Sequence, residues 1–301
     1  MLPNFLVVGA QKSGTTSLHH YLQAHPDIYL PAQKETKFFV HEKYYCKGTG
    51  FYENEYFYSR NNETAVGEVD PDYLYYEGAL PRIAHDLDLA SLKLIFIFRN
   101  PVERAFSHYL MSYRRGQEPH TFEEAIETES VRIAEGHMEN LRYSYVSRGY
   151  YLRQVERFLG YVDRSQMLFL LADDLEADPS ACLQQVYTFL GVASDFVPSS
   201  LGERFHRATV PRSLSLLRWI KEPGSGKQLL RLLIPFSSLR QSLRAWLLRI
   251  NQTNPGDLAL NPETRKRLVE LYRSENARLA AFLDRDLDHW NHLPDSPGRQ
   301  S

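Results

Sequence analysis

The sequence predicts an α/β domain: a mostly parallel central sheet flanked by helices on both faces, with a helical cap in the C-terminal third. Two observations carry the α/β assignment. Apolar, β-rich runs at residues 5–9, 92–98 and 167–171 are each followed by a segment of helical spacing. Strands that alternate with helices in this way bring parallel strands side by side, with the crossover helices covering the faces. A third observation predicts the cap: from residue 204 to 249 the alternation stops and ten arginines and lysines stand among leucines against the single acid Glu222.

The 301 residues suffice for a sizeable core and are read as one domain, 1–301, with the basic cap at 204–250 inserted in it. A hydrophobic content of 43% and a charged content of 24% are ordinary for a soluble protein, and a net charge of -2 gives no bulk attraction to nucleic acid. Cys46 and Cys182 are far apart and neither belongs to a C-x-x-C pair, so neither a zinc site nor a disulfide framework is expected. No apolar run approaches the ~20 residues of a spanning helix. The N-terminal apolar run reads as a strand rather than a signal core, so a cytoplasmic location is expected.

The first strand ends at Gly9 and runs through Ala10, Gln11, Lys12, Ser13, Gly14, Thr15, Thr16 and Ser17 into a helix with Leu18, Tyr21 and Leu22 on one face. A strand, a loop of small residues and a helix N-terminus leave backbone N–H groups unpaired and aligned with the helix dipole, which suits a phosphate-like anion. Gly9, Gly14 and Thr16 fit the P-loop spacing G-x-x-x-x-G-K-[ST], except that Thr15 occupies the lysine position and the lysine has moved into the loop as Lys12. A triphosphate site also wants an acidic strand end for Mg²⁺, so the displaced lysine points to another anion.

His25-Pro26-Asp27 stops the helix, and residues 28–31 read as a short extended segment. Lys34-Glu35-Thr36-Lys37-Phe38-Phe39 follows, a carboxylate between two lysines close in sequence to the anion loop. Residues 41–60 are rich in Tyr and Phe and read as a loop or short helices. A short strand at 66–69 leads into a turn, and residues 81–89 suit a helix. The clearest buried strand, residues 92–98, delivers Arg99 to its carboxyl end, where open α/β sheets bind ligands. An arginine there argues for a second anion rather than a metal. Pro101 opens a helix with Val102, Ala105, Phe106, Tyr109 and Leu110 inward and Ser107 two turns along.

Thr121-Phe122-Glu123-Glu124 is a capping box. Residues 150–159 form a helix packed through Tyr151, Val155, Phe158 and Leu159. Asp178-Pro179 caps and starts a helix that stops at Gly191. Residues 204–250 read as two amphipathic basic helices, either a cap on the cleft or a contact with an anionic membrane surface. Asn261-Pro262 begins the last helix, to residue 283, with Leu268, Leu271, Tyr272, Leu279 and Phe282 inward.

Residues 11–18 together with Arg99-Asn100-Pro101-Val102-Glu103-Arg104-Ala105-Phe106-Ser107 resemble the two nucleotide-binding motifs of the sulfotransferases that use 3′-phosphoadenosine 5′-phosphosulfate (PAPS). The similarity runs from the first strand to about residue 190. It implies that Gln11, Lys12, Ser13, Gly14, Thr15, Thr16 and Ser17 hold the 5′-phosphosulfate, that Arg99 and Ser107 hold the 3′-phosphate, and that no metal is required. By the same resemblance Glu35 is the general base and Lys37 an acceptor-side residue. Tyr151 matches an aromatic position near the cleft, and Arg207 or Arg212 would close over the nucleotide. Asp70 and Asp72 are expected on the acceptor side, because Gly67-Glu68-Val69-Asp70-Pro71-Asp72-Tyr73 resembles the family's G-E-K-x-P-x-Y element with Val69 in place of its lysine. His85 and His108 are reserve candidates for the base. The implied reaction is sulfuryl transfer to a hydroxyl of a carbohydrate, glycolipid or secondary metabolite. The competing readings are a nucleotide kinase or NTPase, from the near match to the P-loop, and a non-catalytic binder of anionic glycans or membranes through residues 204–249.

Overall fold

A computed structural model describes residues 1–202, 210–211, 252–253 and 259–293. The chain forms β1 (Phe5–Gly9), α1 (Thr15–Gln23), β2 (Ile28–Tyr29), α2 (Glu42–Tyr45), α3 (Gly48–Tyr56), β3 (Ala65–Val69), α4 (Asp72–Tyr75), α5 (Ala79–Asp86), β4 (Lys93–Phe98) and α6 (Pro101–Arg114). It continues through α7 (Phe122–Glu127), α8 (Glu129–Ala134), α9 (His137–Tyr143), α10 (Tyr151–Leu159), β5 (Met167–Leu171), α11 (Ala172–Ala177) and α12 (Pro179–Leu190). Two-residue strands β6 (Val210–Pro211) and β7 (Gln252–Thr253) pair antiparallel, and α13 (Pro262–Leu283), the last α-helix of the described chain, is followed by a short 3-10 helix at Asp288–Asn291.

β2 to β5 and β1 make one parallel sheet in the order β2-β3-β1-β4-β5. Phe5 lies opposite both Gly67 of β3 and Lys93 of β4, so β1 is central and the chain leaves it first to one side and then to the other. That reversal is the switch point at which open α/β sheets take ligands, and the loop after β1 sits on it. All five residues of β1 and all five of β3 are buried, as strands covered on both faces must be. One apolar layer packs Leu6, Val8, Phe96 and Phe98 with Phe38, Phe39, Tyr52, Tyr73, Val155 and Phe158. The other packs Phe5, Val7, Ile95 and Ile97 with Leu18, Leu22, Leu183 and Val186.

Several boundaries follow local chemistry read from the sequence. Asn100 caps α6 by accepting from Val102 and Glu103, Thr121 and Glu124 form the expected capping box, and Asp178 caps α12 by accepting from Ala181. Gly191 ends α12 with φ 82°. Elsewhere the structure shifts or adds elements. Helix α1 begins at Thr15, the helix expected at 81–89 spans Ala79–Asp86, and residues 129–143, for which the sequence predicts no element, fold largely as α8 and α9. Leu159, the last residue of α10 before Gly160, is 36% exposed, and Leu271 of α13 is 45% exposed. Leu271 sits about a quarter turn from the stripe made by Leu268, Tyr272 and Leu279, at ~100° per residue. Apart from Val210–Pro211, the basic segment 204–250, with Arg207 and Arg212, lies outside the described residues.

Candidate active site

The site grows out of the strand-to-helix turn after β1. Gly9 has φ 152°, and a Cβ there would stand 2.8 Å from Leu74 Cβ and 3.1 Å from the Pro71 carbonyl, so a side chain does not fit. Gly14 has φ 96° and caps α1 without a side-chain bond. The first helical bond runs from Leu18 N–H to Gly14 O at 3.1 Å, which leaves the N–H groups of Thr15, Thr16 and Ser17 ahead of it. Ser13 Oγ and Gln11 Oε1 are buried without partners among the described residues. A buried hydroxyl without a partner at a helix N-terminus is what an oxyanion-binding loop presents before its ligand arrives.

Lys12 rises out of this loop in a left-handed conformation, φ 71°. Its ammonium is lowered to about 8, first by burial and then by Arg114, Arg115 and Arg99, with Glu35 opposing. Arg99 leaves the carboxyl end of β4, and its Nη1 donates to the Lys12 carbonyl at 3.4 Å. Tyr151, expected to line the cleft, is instead 2% exposed, and its hydroxyl donates to the Arg99 carbonyl at 2.8 Å. Burial pushes that phenol up to about 12, so it remains a donor and holds Arg99 from behind. Ser107 is half-buried on α6, and Arg114, seven residues on, shares its face of the helix.

The second half of the site is the turn 34–37. Glu35 and Lys37 both have positive φ, 63° and 61°. Among described non-glycine residues the other left-handed positions are Lys12 and Asp284, which caps α13. Such strain costs about 1–3 kcal/mol per residue and collects where geometry serves function. Glu35 Oε1 meets Lys34 Nζ at 2.5 Å and Oε2 meets Lys37 Nζ at 3.1 Å. Burial by itself would raise the Glu35 carboxyl, but Lys37 and Lys34 outweigh it and hold it below the usual carboxylate range.

Lys37 Nζ also contacts Asp70 Oδ1 at 2.8 Å and Asp72 Oδ2 at 2.7 Å. Those two carboxylates and Glu35 overcome the burial penalty and keep the ammonium well above its ordinary value. Asp70, expected to meet an acceptor, is fully buried beneath Lys37; burial raises it to about 7 despite that lysine. Burial works against Asp72 too, yet Lys37 and Arg148 hold it far below the ordinary carboxylate value. Arg148 is 2% exposed and donates to Asp72 Oδ1 at 2.7 Å, Ser144 Oγ at 2.7 Å and the Leu141 carbonyl at 3.0 Å.

Breaking a buried pair leaves one charge uncompensated. Arg148→Ala is therefore expected to lower unfolding stability by about 3–5 kcal/mol, read from the urea midpoint at constant slope; a loss below ~1 kcal/mol would show that Asp72 relies on Lys37 alone.

The reserve histidines do not reach the site. His85 is exposed on α5 beside Asp86 at 2.8 Å, and His108 is sealed inside, driven far below its usual value by burial and then by Arg148 and Arg104. The sequence reading missed Arg148 and Arg114. The seven-residue interval from Ser107 could have found Arg114; nothing local marks Arg148.

With this geometry in place, comparison with known proteins identifies the class. Residues 2–209 match the sulfotransferase domain family, and the chain belongs to it. A mouse bifunctional heparan sulfate N-deacetylase/N-sulfotransferase 4 is 34% identical over 206 residues, 65% of this chain and 23% of that one. A membrane-associated sulfotransferase kil1 of Dictyostelium discoideum is 39% identical over 137 residues, 43% of this chain and 28% of that one. The aligned segments thus span about a quarter of the length of these curated relatives. Among solved structures, a sulfotransferase from Alicyclobacillus acidocaldarius superposes with a TM-score of 0.71 at 29% identity, covering 97% of this chain and 100% of that one. The described residues contain no helix long and apolar enough to cross a membrane.

Proposed function

We propose that the chain transfers the sulfuryl group of PAPS to a hydroxyl of a carbohydrate, glycolipid or secondary metabolite. One observation carries this reading: the loop after β1 and the turn 34–37 bring a lysine and an ionised carboxylate within electrostatic reach of each other at the sheet's switch point. The unpaired Ser13 hydroxyl and the N–H groups of α1 suit the 5′-phosphosulfate, and Arg99 with Ser107 suits the 3′-phosphate.

In the reaction, Glu35 takes the acceptor proton as the acceptor oxygen attacks sulfur in line. The S–O bond to the 5′-phosphate breaks and its electron pair stays on the phosphate oxygen, where Lys12 neutralises the growing charge. Lys34 and Lys37 keep Glu35 ionised and aimed. Val69 replaces the lysine of the G-E-K-x-P-x-Y element, and Lys37 offers an ammonium from the neighbouring turn instead. A nucleotide kinase is disfavoured by Thr15 in the lysine position and by Arg99 at the strand end. Contact of residues 204–250 with a membrane, and the role of Arg212 over the nucleotide, belong to this proposal as expectations on undescribed residues.

Calorimetry with adenosine 3′,5′-bisphosphate tests the donor half. Binding is expected without Mg²⁺, and Arg99→Ala is expected to weaken it 10- to 100-fold, the ~1.5–3 kcal/mol of a charge-assisted bond. Mg²⁺-dependent ATP binding in its place would favour the kinase reading. Transfer of labelled sulfate from PAPS to a heparosan oligosaccharide, galactosylceramide and 4-nitrophenol tests the acceptor half.

A further inference from the structure

We propose that Glu68 is a positioning residue for the reaction: a buried carboxylate on β3 that fixes the turn carrying Glu35 and Lys37. This rests on the reading of Glu35 as the base. The turn is tied to the end of β3 through three successive amides. Glu35 N–H donates to the Val69 carbonyl at 3.2 Å, Thr36 N–H to Glu68 Oε1 at 2.9 Å, and Lys37 N–H to Asp70 Oδ2 at 3.1 Å. The middle tie joins the two left-handed residues, so it governs both side chains at once.

Glu68 occupies a place where bulk stability alone would favour an apolar side chain. It is 0% exposed, and its strand neighbour of the same face, Val66, belongs to the apolar layer of Phe38, Phe39, Tyr52 and Tyr73. A carboxylate in such a layer carries a large desolvation cost, and an apolar residue of the same shape would often serve the fold as well or better. Here the cost is offset by three donors. Tyr52 Oη and Tyr73 Oη, the latter at 2.8 Å, both donate to Oε2, which leaves Oε1 for Thr36. Burial, followed by the Glu68 charge, holds both phenols well above their ordinary values, so they stay donors. Tyr52 is in turn stacked on Phe38 at 4.2 Å, three residues past the base. The phenols orient the carboxylate, the carboxylate orients the Thr36 amide, and that amide holds a backbone conformation that side chains seldom adopt unaided.

The test combines three readouts on Glu68→Ala, Glu68→Asp and Glu68→Gln. They are amide exchange of the segment 34–37, affinity for adenosine 3′,5′-bisphosphate, and kcat on whichever of the three acceptors above the parent sulfates. Glu68→Ala removes the tie, and Glu68→Asp, which keeps the charge, withdraws it by one methylene and stands in if the alanine variant does not fold. The expected result is exchange at Thr36 at least tenfold faster, kcat at least 30-fold lower and nucleotide affinity within twofold of the parent. Glu68→Gln retains an oxygen for Thr36, with the phenols turning to accept from its amide, and is expected to recover most of the lost kcat. Unchanged exchange at Thr36, kcat within threefold of the parent, or a parallel loss of nucleotide affinity and global protection would each overturn the assignment. If the parent sulfates none of the acceptors, the acceptor reading fails, while exchange and nucleotide affinity still decide the role of Glu68.

Discussion

Lys12→Ala is expected to lower kcat about 10³-fold while leaving the protein at least as stable as the parent. Removing a single donor from a site of developing charge costs about 10²–10³ in kcat, and a full positive charge at the leaving oxygen belongs at the upper end. The stability side follows from the neighbours. Burial and the charges of Arg114, Arg115 and Arg99 bring the Lys12 ammonium down to about 8 from 10.5, so the folded protein carries this charge at a cost. Between those values the unfolded chain binds more protons than the folded one, and stability rises with pH across that window. At neutral pH, alanine relieves the repulsion, and the melting temperature is expected to hold or rise. The parent's kcat/KM for PAPS, which reports the free enzyme, should fall as pH rises through about 8. A variant that kept more than a tenth of the parent kcat would remove Lys12 from the leaving-group role.

What the sequence made legible was whatever is encoded within one element or its junction. β1, β4 and β5 were readable because strands buried on both faces are nearly continuous apolar runs, and α6, α7 and α12 because caps are set by a few adjacent residues. The positions of Lys12 in the loop after β1, Arg99 at the end of β4 and Glu35 in the turn 34–37 were readable because each lies in a short motif. Roles that depend on which way a side chain turns were not. Asp70 belongs to a motif, yet the pleat of the chain leaving β3 sends it inward beneath Lys37, and Tyr151 turns its hydroxyl to the back of Arg99. Arg148 meets Asp72 across 76 residues of sequence, a pairing that no local pattern encodes. The order β2-β3-β1-β4-β5 likewise arises from crossovers and not from any one strand.

Glu35→Gln is expected to lower kcat about 10²–10⁴-fold on a sugar hydroxyl, the range for losing a general base, with nucleotide affinity within twofold of the parent. The substitution is nearly isosteric, and Lys37 keeps its pairs with Asp70 and Asp72, so the turn should persist. The pH profile carries the sign. Because Lys37 and Lys34 outweigh burial and hold the Glu35 carboxyl below its ordinary value, that carboxylate is ionised at neutral pH, and activity is expected to be lost only as pH falls through that lowered value. Stability from the same ion pairs is likewise present above the unfolded pKa and disappears on the acid side. A weakly basic carboxylate is an imperfect match to an alcohol, and this distinguishes proton removal from mere positioning. A tyrosine-type phenol has a pKa of about 10, and the nitro group makes 4-nitrophenol more acidic still, so it surrenders its proton far more readily than a sugar hydroxyl. If Glu35 removes the proton, the variant's deficit should be at least tenfold smaller on 4-nitrophenol than on an alcohol acceptor sulfated by the same enzyme. If Glu35 only orients the acceptor, both deficits should match, because orientation does not depend on the acidity of the hydroxyl being held.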